Sequence, residues 1–213
     1  MYYSRAIVLR HDEWSEADLM LTVLAERYGK IRLLAQGARR IDAKLRGHLE
    51  PGTIIGAVFV IGKNGYRLTT ARAEESFSAV RASLPKLAAL EVIRSALDRN
   101  ILEEGDGAPE LFAVAVDVLR AVAETADRDR LRRTLGWFWA QLIRTLGLLP
   151  SAASSEAADA AELLALGGAG LAEALARPYD AGRVEGELTA LRRQFDQSFF
   201  MPRSPLMASR AVY

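Results

Sequence analysis

The spacing of apolar residues changes once along the chain, and this change limits the possible folds more than any other feature. Residues 4–77 contain five short stretches in which apolar and polar side chains alternate, the period of half-buried strands. From Leu84-Pro85 onward the spacing is that of amphipathic helices. The sequence therefore predicts an α+β protein of two domains, with a β domain over residues 1–80 and a helical domain over residues 81–213.

The β region predicts a small closed barrel. Turn signals separate the strands at Tyr28-Gly29, Pro51-Gly52 and Lys63-Asn64-Gly65, and Asn-Gly favours a hairpin between the last two strands. Five short strands with no helical period between most of them favour a barrel, because closure removes exposed strand edges. An oligonucleotide-binding (OB) fold fits this pattern, and an SH3-like barrel fits the strand count almost as well.

The helical region contains an aromatic triplet, Trp137 to Trp139. Three consecutive residues cover about 200° of a helix surface, so we expect one tryptophan to point away from the core. The triplet fits packing at a domain interface, or an apolar groove rimmed by Arg132, Arg133 and Arg144 that binds a hydrophobic, acidic peptide. The Ala/Ser/Gly-rich residues 151–170 are expected to form a loose connection with a weak short helix.

Basic residues are concentrated in the β region. Residues 27–72 carry ten Lys and Arg but only two acidic residues, whereas the net charge of the whole chain is +1. Such segregation is typical of a protein that binds nucleic acid, and Arg binds phosphate through paired hydrogen bonds. The candidate phosphate contacts are Lys30, Arg32, Arg39, Arg40, Lys44, Arg46 and Arg67. The alternatives are a solvated loop with incidental charge, and a scaffold surface for an acidic protein partner.

Aromatic residues that could stack on bases are sparse in this region. Tyr28, Phe59 and Tyr66 are the candidates, and Phe59 lies in a run of apolar residues that indicates a core position.

Enzyme chemistry receives little support from the sequence. The chain has no Cys and two His, which excludes thiolate sites and argues against a His-based metal site. Nucleotide-binding, serine-hydrolase and zinc-protease motifs are absent, and the paired carboxylates, such as Glu74-Glu75, are typical of solvated surface. We therefore expect no catalysis, cofactor or metal, with an Mg²⁺-dependent nuclease as the remaining alternative. The N-terminus has no signal-peptide pattern, which predicts a cytoplasmic protein.

Two contiguous motifs carry a family resemblance. The stretch "RAIVLRHDEWSEADLMLTVLAERYGKIRLLAQGARR" and the following "LRGHLEPGT" resemble the N-terminal part of the bacterial recombination mediator family RecO. The helical stretch "FWAQLIRTLGLLP" and the C-terminal "LRRQFDQSFFMPRSPLMASR" are similar to later parts of that family. Many members carry a four-Cys zinc module near residues 150–182, and this Cys-free chain departs from them.

The resemblance implies a fold, an activity and partners. It implies an OB barrel joined to a helical domain, binding of single- and double-stranded DNA, annealing of complementary strands, and a place near the nucleoid. It further implies that RecA is loaded, together with RecR, onto DNA coated by single-stranded DNA-binding protein. The acidic C-terminal tail of that protein is assigned to Arg132, Arg133 and Trp137.

Overall fold

The computed structural model describes residues 1–40, 46–63, 65–103, 108–125, 127–151, 155–195 and 200–202. The strands are β1 (Tyr2–Glu13), β2 (Leu19–Ala25), β3 (Gly29–Ala35), β4 (Ile54–Gly62) and β5 (Gly65–Glu75). The helices in these ranges are α1 (Ser78–Arg81), α2 (Leu84–Asn100), α3 (Pro109–Glu124), α4 (Arg128–Thr145), α5 (Ala161–Gly168), α6 (Leu171–Ala176) and α7 (Ala181–Phe195). Short 3-10 segments lie at Arg46–His48 and Ser155–Ala160. None of these helices combines the length and apolar character needed to cross a membrane.

The five strands close into a barrel in the order β1-β2-β3-β5-β4, and β4 pairs with β1 to complete it. β3 and β5 are parallel, whereas all other neighbours are antiparallel. This is the arrangement of an OB-fold, a five-stranded Greek-key barrel. The prediction of five strands, a β4–β5 hairpin and an OB barrel is therefore confirmed. Asn64, which was expected in the hairpin turn, lies outside the described residues.

Alternate residues of every strand fill the barrel interior. Val8, Leu21, Leu33 and Ile55 are completely buried there, as the period of two in the sequence requires. One end of the barrel is packed by four aromatic rings, those of Tyr2, Tyr28, Phe59 and Tyr66. Their centroids lie 5.3 to 6.5 Å apart, mostly edge to face, which is a favourable geometry for aromatic pairs.

The outer face of β2 is also buried. Met20 and Leu24 point away from the barrel interior, yet neither is exposed to solvent. Asp98 of α2 forms ion pairs with Arg10 of β1 and with Lys30 of β3, the strands on either side of β2. The C-terminal half of α2 therefore crosses β2 and covers it.

Contacts divide the chain into two compact units. The first consists of Met1–Ser78 and Arg94–Ala113, and the second of Ala79–Ile93 and Val114–Tyr213. The first unit thus includes the end of α2 and the beginning of α3 in addition to the barrel. The proposed boundary between residues 80 and 81 stays a prediction.

Helix α4 is the centre of the second unit. α5, α6 and α7 all contact it, and every residue from Thr134 to Ile143 is buried. Trp137, Phe138 and Trp139 are all buried, with exposed fractions of 3%, 0% and 0%. The expectation that one tryptophan would point away from the core was wrong, because neighbouring helices cover α4 on several sides. The stretch 151–170, which was expected to be a loose connection with a weak short helix, contains the helix α5.

Candidate nucleic-acid interface

The turn after β3 is held firmly against the loop between β1 and β2. Gly37 has a φ of +70°, which lets the chain reverse direction directly after the strand. Its amide donates a hydrogen bond to Asp18 Oδ1 at 2.8 Å, and the amide of Arg39 donates to the carbonyl of Ala17 at 2.9 Å. These bonds fix the positions at which the side chains of Arg39 and Arg40 leave the barrel.

Arg39 is only partly available to a ligand. Its Nη1 donates to the Ser15 carbonyl at 2.8 Å, and its Nη2 lies 2.9 Å from Glu13 Oε1. Glu13 is largely exposed, so this ion pair is weak and a phosphate could compete for the guanidinium. A cavity of about 310 Å³ beside it is rich in carboxylates; its lining includes His11, Glu13, Glu16, Arg39 and Glu50. This cavity does not favour phosphate.

Three cations form an exposed strip on the barrel, defined here as Arg32, Arg40 and Arg67. Arg67 is paired with Leu34, which lies two residues after Arg32, so both arginines belong to the outer face of the β3–β5 pair. Arg67 Nη1 donates to Gln36 Oε1 at 3.4 Å, next to the turn that carries Arg40. Arg32 and Arg40 form no ion pair with another described residue. The structure thus brings these three candidates together.

Lys30 does not belong to this strip. Its side chain is 8% exposed, and its Nζ donates to the backbone carbonyl of Asp98 and lies 3.8 Å from Asp98 Oδ1. A buried, paired ammonium group cannot contact phosphate without leaving its site. The assignment of Lys30 as a phosphate contact is therefore corrected, because α2 covers this end of β3.

Two further candidates cannot be placed. Lys44 lies outside the described residues, and of Arg46 only the backbone, in a 3-10 segment, is described. Their assignment as phosphate contacts stays a prediction.

The stacking candidates occupy the end of the barrel. Tyr28 and Tyr66 are partly buried and pack edge to face against Phe59, which is 1% exposed. Their rings stabilise the barrel and present little surface to a base. The sequence reasoning missed Tyr3 and Trp14, which are 52% and 57% exposed. The alternation along β1 could have identified Tyr3, since it faces opposite to Tyr2 and Ala6.

The partner site predicted on α4 is only partly accessible. Trp137 is buried, and its Nε1 donates to the Ala169 carbonyl at 2.9 Å, so its assignment as a partner contact is corrected. Arg133 donates to the Arg177 carbonyl at 3.1 Å and lies over the Tyr179 ring. Arg132 is 33% exposed and lies 3.9 Å from Asp129.

Tyr179 shows how closely this side of α4 is packed. Its hydroxyl donates to the Arg132 carbonyl at 3.3 Å. Burial raises the pKa of the Tyr179 hydroxyl above its usual value, although the nearby charges of Arg132 and Arg133 act in the opposite direction. The phenol therefore stays neutral and does not offset the positive charge of the two arginines.

Metal chemistry finds no support in the described part of the chain. No group of three or more His, Cys, Asp or Glu side chains there is arranged to hold a metal ion. Because the sequence contains no Cys at all, a four-Cys zinc site cannot form.

The N-terminal barrel matches a known family model. Residues 1–77, which contain all five strands and the exposed strip, match the model described as "Recombination protein O N terminal". The barrel of this chain is thus a RecO N-terminal domain.

Relatives of the RecO family also match beyond the barrel. The chain is 29% identical over 150 residues to "DNA repair protein RecO" of Roseiflexus sp. strain RS-1, covering 70% of this chain and 51% of that protein. It is 31% identical over 124 residues to the protein of that name from Frankia casuarinae, covering 58% and 51%. The protein of that name from Desulforamulus reducens is 30% identical over 150 residues, covering 70% and 57%. The chain thus spans about half the length of these RecO relatives.

Proposed function

We propose that this chain acts in DNA repair and recombination by binding single- and double-stranded DNA on its barrel and annealing complementary strands. The observation that carries the proposal is the exposed strip of Arg32, Arg40 and Arg67 on an OB barrel of the RecO family. OB barrels commonly bind oligonucleotides on their outer face. Contacts to phosphate make such binding largely independent of base sequence.

Annealing follows from charge neutralisation. Two complementary strands repel each other through their phosphates, and a cationic surface that binds both lowers this repulsion. The reaction requires no nucleophile, metal or nucleotide hydrolysis. The protein is therefore proposed to be a mediator and not an enzyme, and to work at the nucleoid, where its substrate lies.

Reversing the charge of the strip tests the proposal. The triple variant Arg32→Glu, Arg40→Glu, Arg67→Glu should lose most of its affinity for single strands. The slope of log K against log salt should fall by about 2, since each phosphate contact contributes about 0.7 on single strands. Fluorescence anisotropy at several salt concentrations measures both quantities.

A matched control separates a local effect from a change in net charge. Arg128, Arg130 and Arg193 are exposed on the helices, and replacing all three by Glu changes the net charge by the same amount. This control should bind and anneal DNA nearly as the wild type does. Equal losses in both variants would contradict the barrel site. If the wild type binds no DNA at all, the alternative of a scaffold for an acidic protein is favoured.

The proposed partners are those of the family resemblance. We propose that the chain helps to load RecA, with RecR, onto DNA coated by single-stranded DNA-binding protein. The acidic tail of that protein is assigned to the exposed parts of Arg132 and Arg133, without Trp137. Titration of a tail peptide against Arg132→Glu, Arg133→Glu should show weaker binding than wild type, and unchanged affinity would reject this position.

A further inference from the structure

The exposed strip continues onto a second part of the barrel, the outer face of β5, β4 and β1. This is possible because the barrel is closed, so that β4 joins β5 to β1. The side chains of Tyr3, Val58, Val60, Arg67 and Arg72 point outward there. The face of β2, which OB barrels often use together with β3, is covered by α2. A strand of nucleic acid bound to Arg32 and Arg67 could therefore continue along the outer face of β5 and β4 toward β1.

Tyr3 lies on this path as an exposed aromatic ring supported from below. A Cβ atom placed at Gly56 would be 3.4 Å from the Tyr3 hydroxyl oxygen and 3.5 Å from Cε2. The ring thus rests on the backbone of β4 at a residue without a side chain, beside the carboxylate of Glu74, whose Oε1 would be 3.0 Å from that Cβ. Since 52% of Tyr3 is still exposed, its outer surface is available to a flat ligand.

The strand register places Tyr3 between two exposed arginines. Tyr3 pairs with Val58, Arg67 pairs with Val60, and Arg72 pairs with Gly56. Val58 is midway between Val60 and Gly56, so the backbone of Tyr3 lies level with the middle of the interval between the two arginines. The Tyr3 ring extends from there toward Gly56, on the side of Arg72. Because strand residues rise about 3.3 Å each, that interval is about 13 Å. Phosphates on either side of a base stacked on Tyr3 therefore lie within the interval that the two arginines span.

Local charge favours a polyanion at Tyr3. The carboxylate of Glu74, the nearest acidic group to Gly56, forms an ion pair with Arg5 at 2.9 Å. Arg67 and Arg72 are both exposed on the same face. Trp14, the other aromatic residue that is largely exposed in the described part of the chain, lies between Glu13 and Glu16, which line the carboxylate-rich cavity. Tyr3 is therefore the better site for a base whose phosphates are held by arginine.

We propose that Tyr3 is a stacking platform for one base of a single strand, with the flanking phosphates bound by Arg67 and Arg72. This inference rests on the proposed function and adds a residue that contacts the base instead of the phosphate. Stacking on an aromatic ring is tolerant of base identity, because every base has a flat face. Such a platform would favour single strands, in which bases are free to stack.

The experiment compares two ligands with equal charge. A short oligothymidylate and an oligomer of the same length made of abasic sites are titrated against wild type, Tyr3→Ala, Tyr3→Phe and Trp14→Ala. We expect Tyr3→Ala to bind the oligothymidylate about five- to tenfold more weakly, with an unchanged salt slope and unchanged affinity for the abasic oligomer. Tyr3→Phe and Trp14→Ala should behave as wild type.

Arg72→Gln supplies the complementary result, since loss of a phosphate contact should weaken both ligands equally and lower the salt slope by about 0.7. Thermal unfolding of each variant checks that the barrel is intact. The inference is overturned if Tyr3→Ala binds the oligothymidylate normally, or if Trp14→Ala carries the loss instead. A different result would contradict the proposed function itself, namely that the wild type binds neither ligand. If Tyr3→Ala binds DNA normally but no longer binds a protein partner, the inference is also overturned.

Discussion

Lys30 and Arg32 lie two residues apart on the same side of β3, yet only Arg32 reaches solvent. The sequence pattern treats the two cations alike, because alternation shows which face a side chain takes but not what covers that face. Asp98, which pairs with Lys30, is 68 residues away and belongs to α2. The exposed arginines could therefore be predicted from the sequence, whereas the burial of Lys30 depends on how a distant helix packs.

This difference predicts opposite phenotypes for neighbouring substitutions. Lys30→Met should lower the free energy of unfolding by about 2 kcal/mol, because a buried charged hydrogen bond is lost. It should leave the salt slope of DNA binding unchanged. Arg32→Met is the matched control on the same strand. It should lower the salt slope of DNA binding and leave the free energy of unfolding nearly unchanged. Urea unfolding and DNA titration of both variants measure the two effects, and a reduced salt slope in Lys30→Met would contradict the structural role.

At the scale of elements, α5 was predicted only as a weak short helix, and the groups that stabilise it could not be predicted from its own sequence. Side chains from two other helices form hydrogen bonds with the backbone at both ends of this eight-residue helix. The buried Glu187 of α7 accepts hydrogen bonds from the amides of Glu162 and Leu163 at its start. Gln141 of α4 donates to the carbonyls at its end. The Ala/Gly-rich sequence has weak local signals, and the stabilising groups lie more than twenty residues away.

The cap at the end of α5 yields a quantitative prediction. Gln141 Nε2 lies 3.0 to 3.2 Å from three buried carbonyl oxygens, those of Leu166, Gly167 and Ala169. Gln141→Met keeps the volume but leaves these acceptors without this donor, so stability should fall by about 2 kcal/mol. Gln194→Met, at an exposed position on α7, is the control and should be nearly neutral. A neutral Gln141→Met in thermal or urea unfolding would show that the cap contributes little.

At the scale of the whole molecule, the first unit is not a continuous segment. Its barrel occupies the residues up to Ser78, but the helical residues Arg94–Ala113 belong to the same unit. The change from strands to helices is visible in the sequence, since it alters the apolar spacing near Leu84-Pro85. The apolar spacing does not show which of those helical residues pack with the barrel, so their place in the first unit could not be predicted.

Truncation tests this organisation directly. A fragment of residues 1–80 lacks the part of α2 that covers β2, so Met20 and Leu24 would face solvent. We expect it to bind a hydrophobic dye and to unfold at a lower temperature than a fragment of residues 1–113. Equal melting temperatures and no dye binding would instead support an autonomous domain that ends at residue 80.

The discontinuous first unit also sets an order of events during synthesis. The ribosome makes Ala79–Ile93, which belongs to the second unit, before it makes Arg94–Ala113. A nascent chain that has completed β5 consequently carries an uncovered apolar strand face until Ala113 has emerged. During this interval the growing polypeptide is most prone to associate with other chains, and it is then that a chaperone would protect it.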